Sequence, residues 1–260
     1  MVLLIDRREL LEKARERNLN LQLIEKDYVL GLLLFGFSKT SLAFKGGTAL
    51  SKMFFPKIWR LSEDLDFSGN FNHLNIEEIL ETIHKKSGIR FWLKSKYQNP
   101  EYTQLKIQYR ALLGKNWAKI DITNEKLMQK PVMKALPRNY SDYPYFSIRV
   151  MCLEEVFAEK LRALIERKKA RDFFDVWKLT SLPLDKKKAR ALFIKKCMAK
   201  GIGFTGLKSL FSPELKETLA PYWAKELSRV MDKTPSQARV LSELKKRLVF
   251  YASNASKSQG

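Results

Sequence analysis

Polar and apolar positions alternate over short stretches in the first half of the chain and fall into helical stripes in the second. Residues 7–18 are charged and helical in pattern, and residues 21–35 form a second helix with a much more apolar face. The short apolar run Leu42-Ala43-Phe44 predicts a buried strand, broken by Gly46 and Gly47. Residues 48–55 then predict a helix that Pro56 ends. In Asp64-Leu65-Asp66-Phe67 an acid recurs at every second position. As a strand, this run puts both carboxylates on one face and both apolar side chains on the other. Residues 75–84 predict a helix with Ile76, Ile79, Leu80 and Ile83 on one side. Residues 90–97 and 105–113 alternate as strands, and Gly114-Lys115-Asn116 predicts the hairpin turn into a strand over 117–123.

Residues 130–144 hold Pro131, Pro137 and Pro144 and read as a loop and domain junction, followed by a short strand over 146–150. Leu153, Val156, Phe157, Leu161 and Leu164 then define one helical stripe. Beyond Pro183 the pattern is helical and basic: Asp185 caps a helix bearing Lys186, Lys187, Lys188, Arg190, Lys195 and Lys196. Two further helices follow at 213–227 and 235–251. The expected fold class is α/β. A mixed sheet with flanking helices occupies 1–150, a helical, basic C-terminal domain 151–252, and a disordered tail 253–260.

Composition narrows the possibilities. The 260 residues include 49 Lys plus Arg against 28 Asp plus Glu, a net charge of +21, with a pI near 9.9. That excess favours a polyanionic partner, nucleic acid ahead of a membrane surface. The lysine runs read either as solvated faces or, beside a nucleotide site, as an RNA-docking surface, and the second is the stronger expectation. Cys152 and Cys197 show no metal spacing and no disulfide framework, which fits a reducing cytosol. The N-terminus lacks the basic lead and long apolar core of a signal peptide, and no apolar run is long enough to span a bilayer. A cytoplasmic chain without a membrane partner, monomeric when free, is expected.

The candidate chemistry is concentrated between Phe44 and Phe67. Adjacent glycines let backbone N–H groups close on an anion, and a helix N-terminus adds partial positive charge there. A phosphate cradle followed by a carboxylate pair is what a nucleoside triphosphate with Mg²⁺ requires. Further along, Asp121 lies between two isoleucines, a costly place for a carboxylate unless a cation or donors are near. It is either a further metal carboxylate or a strand-end aspartate facing water. Lys160 falls on the apolar stripe of its helix, so it must snorkel out or point at an anion. Asp172 and Asp175 share a helix face and form either an ion-pair cluster or the orienting partners of Lys160 or Arg171. His73 and His84 are far from other ligand types and take surface or packing roles.

The strand, Gly-Gly, helix and Asp-x-Asp in this order resemble the polymerase-beta-type nucleotidyltransferase superfamily. More narrowly, Lys45-Gly46-Gly47-Thr48-Ala49-Leu50 with Arg60-Leu61-Ser62-Glu63-Asp64-Leu65-Asp66 is similar to the first motif of the AbiEii/AbiGii toxin family, which includes the MenT toxins. Glu159-Lys160-Leu161-Arg162-Ala163 followed by Arg167 to Asp175 resembles its second motif, and Glu25-Lys26-Asp27-Tyr28 a preceding helical segment to which no chemistry is given. The resemblance implies a nucleotidyltransferase-type sheet in a toxin of a bacterial or phage-defence toxin–antitoxin pair that inhibits growth. It further implies that Asp64, Asp66 and Asp121 hold two Mg²⁺ ions while Gly46, Gly47 and Thr48 cradle the phosphates of an NTP. Lys160, with Asp172 beside it, would steady the triphosphate or the leaving pyrophosphate. In the MenT-like branch the acceptor would be the tRNA 3′ end, so that translation is blocked. A cognate antitoxin protein is an implied partner, and Ser62 is either a point of inhibitory phosphorylation or a turn hydroxyl. The rivals are the same site chemistry acting on a protein or small molecule, and a non-catalytic nucleic-acid-binding module.

Overall fold

The structure is a computed structural model that describes residues 5–56, 60–204 and 206–252; the tail expected at 253–260 lies outside the described residues. The chain separates into two compact units, Met1–Met151 with Val230–Asp232, and Cys152–Arg229 with Lys233–Gly260.

The first unit begins with α1 (Arg7–Arg17), capped by the Asp6 carboxylate, and α2 (Leu21–Phe37), capped by Asn20. Strand β1 (Ala43–Lys45) runs directly into α3 (Gly46–Ala49), whose winding loosens into a π-helical segment, Leu50–Phe54. Strand β2 (Asp64–Ser68), helix α4 (Ile76–Ser87) and strands β3 (Arg90–Gln98), β4 (Tyr102–Ala111), β5 (Gly114–Thr123), β6 (Val132–Ala135) and β7 (Ser147–Val150) follow. The seven strands form one mixed sheet in the order β3-β4-β5-β2-β1-β7-β6. β2 runs parallel to β5 and β1 parallel to β7, and the other neighbours are antiparallel.

Period-two alternation decides which face is covered. Leu65 and Phe67 of β2, Ile120 and Ile122 of β5, and Leu105 and Ile107 of β4 are all buried on one side. Phe37 of α2 stacks on Phe67 at 5.3 Å between ring centroids. A Cβ on Gly36 would strike Ile83 of α4, so the absence of a side chain there is what lets α2 and α4 approach. α2 is apolar nearly all round and almost entirely buried, as a central core helix must be.

Two expectations are corrected in this unit. The 130–144 stretch is not all loop, because Val132–Ala135 pairs with β7 as the sheet's edge strand. Prolines on either side of it are compatible with an edge, where one row of N–H groups needs no partner. The β4–β5 hairpin turns at Leu112-Leu113, with Ala111 paired to Gly114, rather than at 114–116. Gly114 is therefore the first strand residue, at φ 105°.

The second unit is helical: α5 (Leu153–Arg167), α6 (Ala170–Leu179), α7 (Lys186–Ala199), α8 (Leu207–Leu210), α9 (Leu215–Leu227), α10 (Gln237–Arg247) and α11 (Val249–Ala252). Asp185 caps α7 through its bond from the Lys188 N–H. Lys186, Lys187, Lys188 and Lys195 face solvent, but Lys196 does not. Its ammonium is buried between Glu155 and Glu159 of α5 at 3.0 and 3.1 Å, so it belongs to the packing of α5 on α7 and not to a basic surface. Cys152 and Cys197 are free thiols, both buried. No helix among the described residues is long and apolar enough to cross a membrane.

Candidate active site

The glycine turn and the acidic strand meet at one point of the first unit. β1 pairs with β2 so that Lys45 stands opposite Asp66, and Gly46 follows at once. Gly46 has φ 78°, and a Cβ built on it would lie 1.9 Å from the Asp66 carboxylate oxygen. Both the backbone angle and the carboxylate therefore demand glycine here. A Cβ on Gly47 would lie 3.1 Å from the Ser62 hydroxyl and 3.2 Å from the Arg60 guanidinium, so these side chains converge on the second glycine. Ser62 sits in the lead-in to β2 and not on the strand itself, because β2 begins at Asp64. Thr48 is fully buried and donates its hydroxyl to the Asp64 carbonyl, which fastens the glycine helix to the acidic strand. Of Thr48, only the backbone is left to meet a phosphate. No side chain caps the first turn of α3.

Asp64 and Asp66 alternate with buried Leu65 and Phe67, as the period of two requires. In the parallel β2–β5 ladder Asp64 pairs with Lys119 and Asp66 with Asp121, so all four side chains share one face. The Lys119 ammonium lies 2.8 Å from Asp121 and 3.5 Å from Asp64. Burial pulls the Lys119 pKa down, but the bond to Asp121 and the charges of both carboxylates outweigh it and leave it raised. Asp121 also accepts hydrogen bonds from the Tyr102 hydroxyl and, at 3.1 Å, from the Gln104 amide. Burial and the bond to Asp121 push the Tyr102 phenol up to about 12. Asp121 thus has the cation and the donors that its place between isoleucines requires.

Among the described residues no three His, Cys, Asp or Glu side chains close on a common point. The carboxylates of Asp64 and Asp121 instead share an ammonium, a stand-in cation where a divalent ion would be expected. Three acids on one face of paired strands, two of them already sharing a single ammonium, fit a hard cation that prefers oxygen ligands.

Lys119, Tyr102 and Gln104 lie outside the sequence motifs. Lys119 had a readable signal: it precedes Asp121 by two, so the same alternation that placed Asp121 placed Lys119 beside it.

Behind the glycine helix lies a buried polar network. Lys52 of the π-helical segment pairs with Asp27 at 2.7 Å, and Tyr140 donates to the other Asp27 oxygen at 3.0 Å. Tyr143 donates to the Tyr28 carbonyl, and Tyr28 to Asp142. Through Asp27 and Tyr28 this segment of α2 ties the π-helical continuation of α3 to the Tyr140–Tyr143 loop.

In the second unit Lys160 is nearly buried, 2.8 Å from Asp175 and 3.4 Å from Asp172. Asp172 also accepts two N–H bonds from Arg167 at 2.8 and 2.9 Å. Burial opposes ionisation of Asp172, but the Lys160 charge and Arg167 prevail and hold its carboxyl below the usual range. Asp172 and Asp175 thus form an ion-pair cluster with Lys160 and Arg167. Arg171 turns instead toward Glu226 at 3.8 Å. His84 contacts the Ile89 carbonyl and His73 is exposed, in packing and surface positions.

The family model for the nucleotidyl transferase AbiEii toxin of type IV toxin–antitoxin systems matches residues 30–247. The chain belongs to the AbiEii family. This AbiEii chain is accordingly a nucleotidyltransferase of a toxin–antitoxin family, and that family implies an antitoxin as partner. Its fold is similar to MenT4, a nucleotidyltransferase toxin from Mycobacterium tuberculosis, with 21% identity over 96% of this chain and 90% of that one and a TM-score of 0.74. JHP933 from Helicobacter pylori is similar at 17% identity, covering 90% and 93% of the two chains, with a TM-score of 0.60. A putative nucleotidyltransferase from H. pylori gives 17%, 90%, 96% and 0.58 for the same measures. No curated protein matches by sequence. The AbiEii family match spans both the acidic sheet face of the first unit and the Lys160 cluster of the second.

Proposed function

We propose that this AbiEii-family enzyme transfers a nucleoside monophosphate from an NTP to an RNA acceptor, the tRNA 3′ end first among candidates, with Mg²⁺ and with release of pyrophosphate. The observation that supports this reading is the alignment of Asp64, Asp66 and Asp121 on one sheet face directly against Gly46. Asp64, Asp66 and Asp121 would hold the divalent ions, which when bound supply charge neutralisation for the triphosphate and acidity to an acceptor hydroxyl. Gly46 and Gly47 bring the backbone close to the phosphates, since neither carries a Cβ to hold them off. The Lys119 ammonium, bridging Asp64 and Asp121 here, would give up that place to a divalent ion and would stay a cation on the same face. Tyr102 and Gln104 hold Asp121 in place by donating to one of its oxygens, leaving the other toward Lys119. Lys160, oriented by Asp172 and Asp175, is the cation assigned to the leaving pyrophosphate. A site of this kind works chiefly by positioning and electrostatics, so no nucleophilic side chain is required. Ser62, against Gly47, is where an added phosphate would compete with the triphosphate, and this makes it the candidate point of antitoxin control.

The test is purified protein with total tRNA, Mg²⁺ and each α-labelled NTP in turn, with Asp64→Ala alongside. Label reaching tRNA from one NTP, and absent in the variant, supports the reading. Label on protein but not on RNA would replace the acceptor, and no label from any NTP would overturn the reading.

A further inference from the structure

The sheet face that carries the three aspartates continues onto β4 and β3, where its side chains are exposed or half-buried. Strand register arranges its side chains in transverse rows. The row farthest from the carboxylates is Arg90, Arg110 and Lys115, directly paired across three strands. All three are exposed, and among the described residues none has an acidic partner. Like charges directly opposite one another destabilise a sheet, so an anion lying over this row would relieve their repulsion.

The next row sets the indoles of Trp92 and Trp117 on either side of Gln108, with the Trp92 indole N–H donated to the Gln108 side-chain Oε1 at 3.1 Å. Trp117 is 38% exposed, and the ammoniums of Lys106 and Lys26 lie 4.0 and 5.0 Å from its ring centroid. The row after that brings Lys106 beside Lys119, and the last brings Asp121 beside Asp66. Along β5 the distance from Lys115 to Asp121 is about 20 Å, six residues at roughly 3.3 Å each. On this face β3 contributes Arg90, β4 Lys106 and Arg110, and β5 Lys115 and Lys119, against the single acid Asp121.

We infer that this face is a docking platform for a single-stranded RNA segment, with phosphates over the Arg90–Arg110–Lys115 row and bases stacked on the Trp92–Trp117 row. The arrangement leads the strand toward Asp121. Exposed aromatics interleaved with cations hold unpaired nucleotides because every base has a stacking face and every linkage a charge. A duplex keeps its bases stacked internally and gains nothing from the aromatic row. The inference rests on the RNA-acceptor reading, and it adds to that reading the surface by which the acceptor is held.

The test measures binding without NTP or divalent ions. The probe is a fluorescein-labelled single-stranded RNA of about twelve nucleotides, read by anisotropy, with a duplex of the same length as comparator. Trp117→Ala is expected to bind about tenfold more weakly, and Trp117→Phe to stay within about threefold of the parent. Arg90→Ser/Arg110→Ser is expected to lower the slope of log affinity against log salt by about 1.4, two contacts at about 0.7 each. Circular dichroism confirms folding, and both arginines are exposed enough for the double variant to fold if Trp117→Ala does not. Folded Trp117→Ala and Arg90→Ser/Arg110→Ser variants that bind the single strand within about twofold of the parent, or a parent that prefers the duplex, overturn the platform and leave the face to a protein partner. A parent that binds single-stranded RNA through this face but transfers no nucleotide overturns the transfer reading alone. Transfer to tRNA with an unchanged KM in both variants overturns the platform alone.

Discussion

At the scale of single residues, Gly46 is the most constrained position in the acidic site. Alanine there would have to hold φ 78° and place a methyl within 1.9 Å of an Asp66 oxygen. Left-handed backbone costs an L-residue roughly 1–2 kcal/mol, before any displacement of Asp66. Gly46→Ala is expected to lose at least about 1 kcal/mol in a urea titration and to lose nucleotide transfer by about a hundredfold or more, since a 1 Å misplacement of a catalytic group can cost that much. A stable variant with full activity would show that Asp66 does not need its present place. Asp64, Asp66 and Gly46 were legible in the sequence because strand alternation and glycine geometry are local rules. Tyr102 and Gln104 depend on which strands become neighbours, and Asp121 meets them and Asp66 through long-range pairing that no local rule shows.

Helices α5, α6 and α7 are joined by charges that the sequence pattern presented as surface. Lys196 is 3% exposed between Glu155, itself fully buried, and Glu159. Removing one partner of a buried ion pair leaves an uncompensated charge, so Lys196→Met is expected to cost about 3–5 kcal/mol in chemical denaturation. Lys195, exposed one position away, should change stability by no more than about 0.5 kcal/mol when replaced by methionine. The two lysines look alike in sequence, and only the packing of α7 on α5 separates them. The Asp172 carboxyl, held low by Lys160 and Arg167, stabilises the fold at pH values above about 3.9, its unfolded pKa, and loses that effect as pH falls through the lower folded value. Asp172→Asn should therefore be clearly less stable than the parent at pH 7, with the difference closing below about pH 4 in thermal melts. A difference that persists in acid would mean that Asp172 acts by shape rather than charge. The β6 edge strand escaped detection for a related reason: three prolines in fifteen positions mimic a loop unless one knows that the strand lies at an edge.

For the molecule as a whole, the α/β class and the strong basic charge were plain from pattern and composition, whereas the placement of that charge was not. A net +21 says only that a polyanion is favoured. The register of β3, β4 and β5 turns part of it into ordered rows, and burial removes another part from the surface altogether. Because the Lys119 ammonium already lies between Asp64 and Asp121, the repulsion of those acids is relieved before any metal arrives. The chain can thus complete its folding in a cell compartment or buffer stripped of divalent ions. EDTA should move its melting temperature by less than about 2 °C, while Lys119→Met should melt lower in EDTA and recover with Mg²⁺ by mass action. Equal melting behaviour of the two proteins in EDTA would show that Lys119 carries no such role. A chain built this way carries the counter-charge for its own acids, so its folding is expected not to wait on the supply of divalent ions.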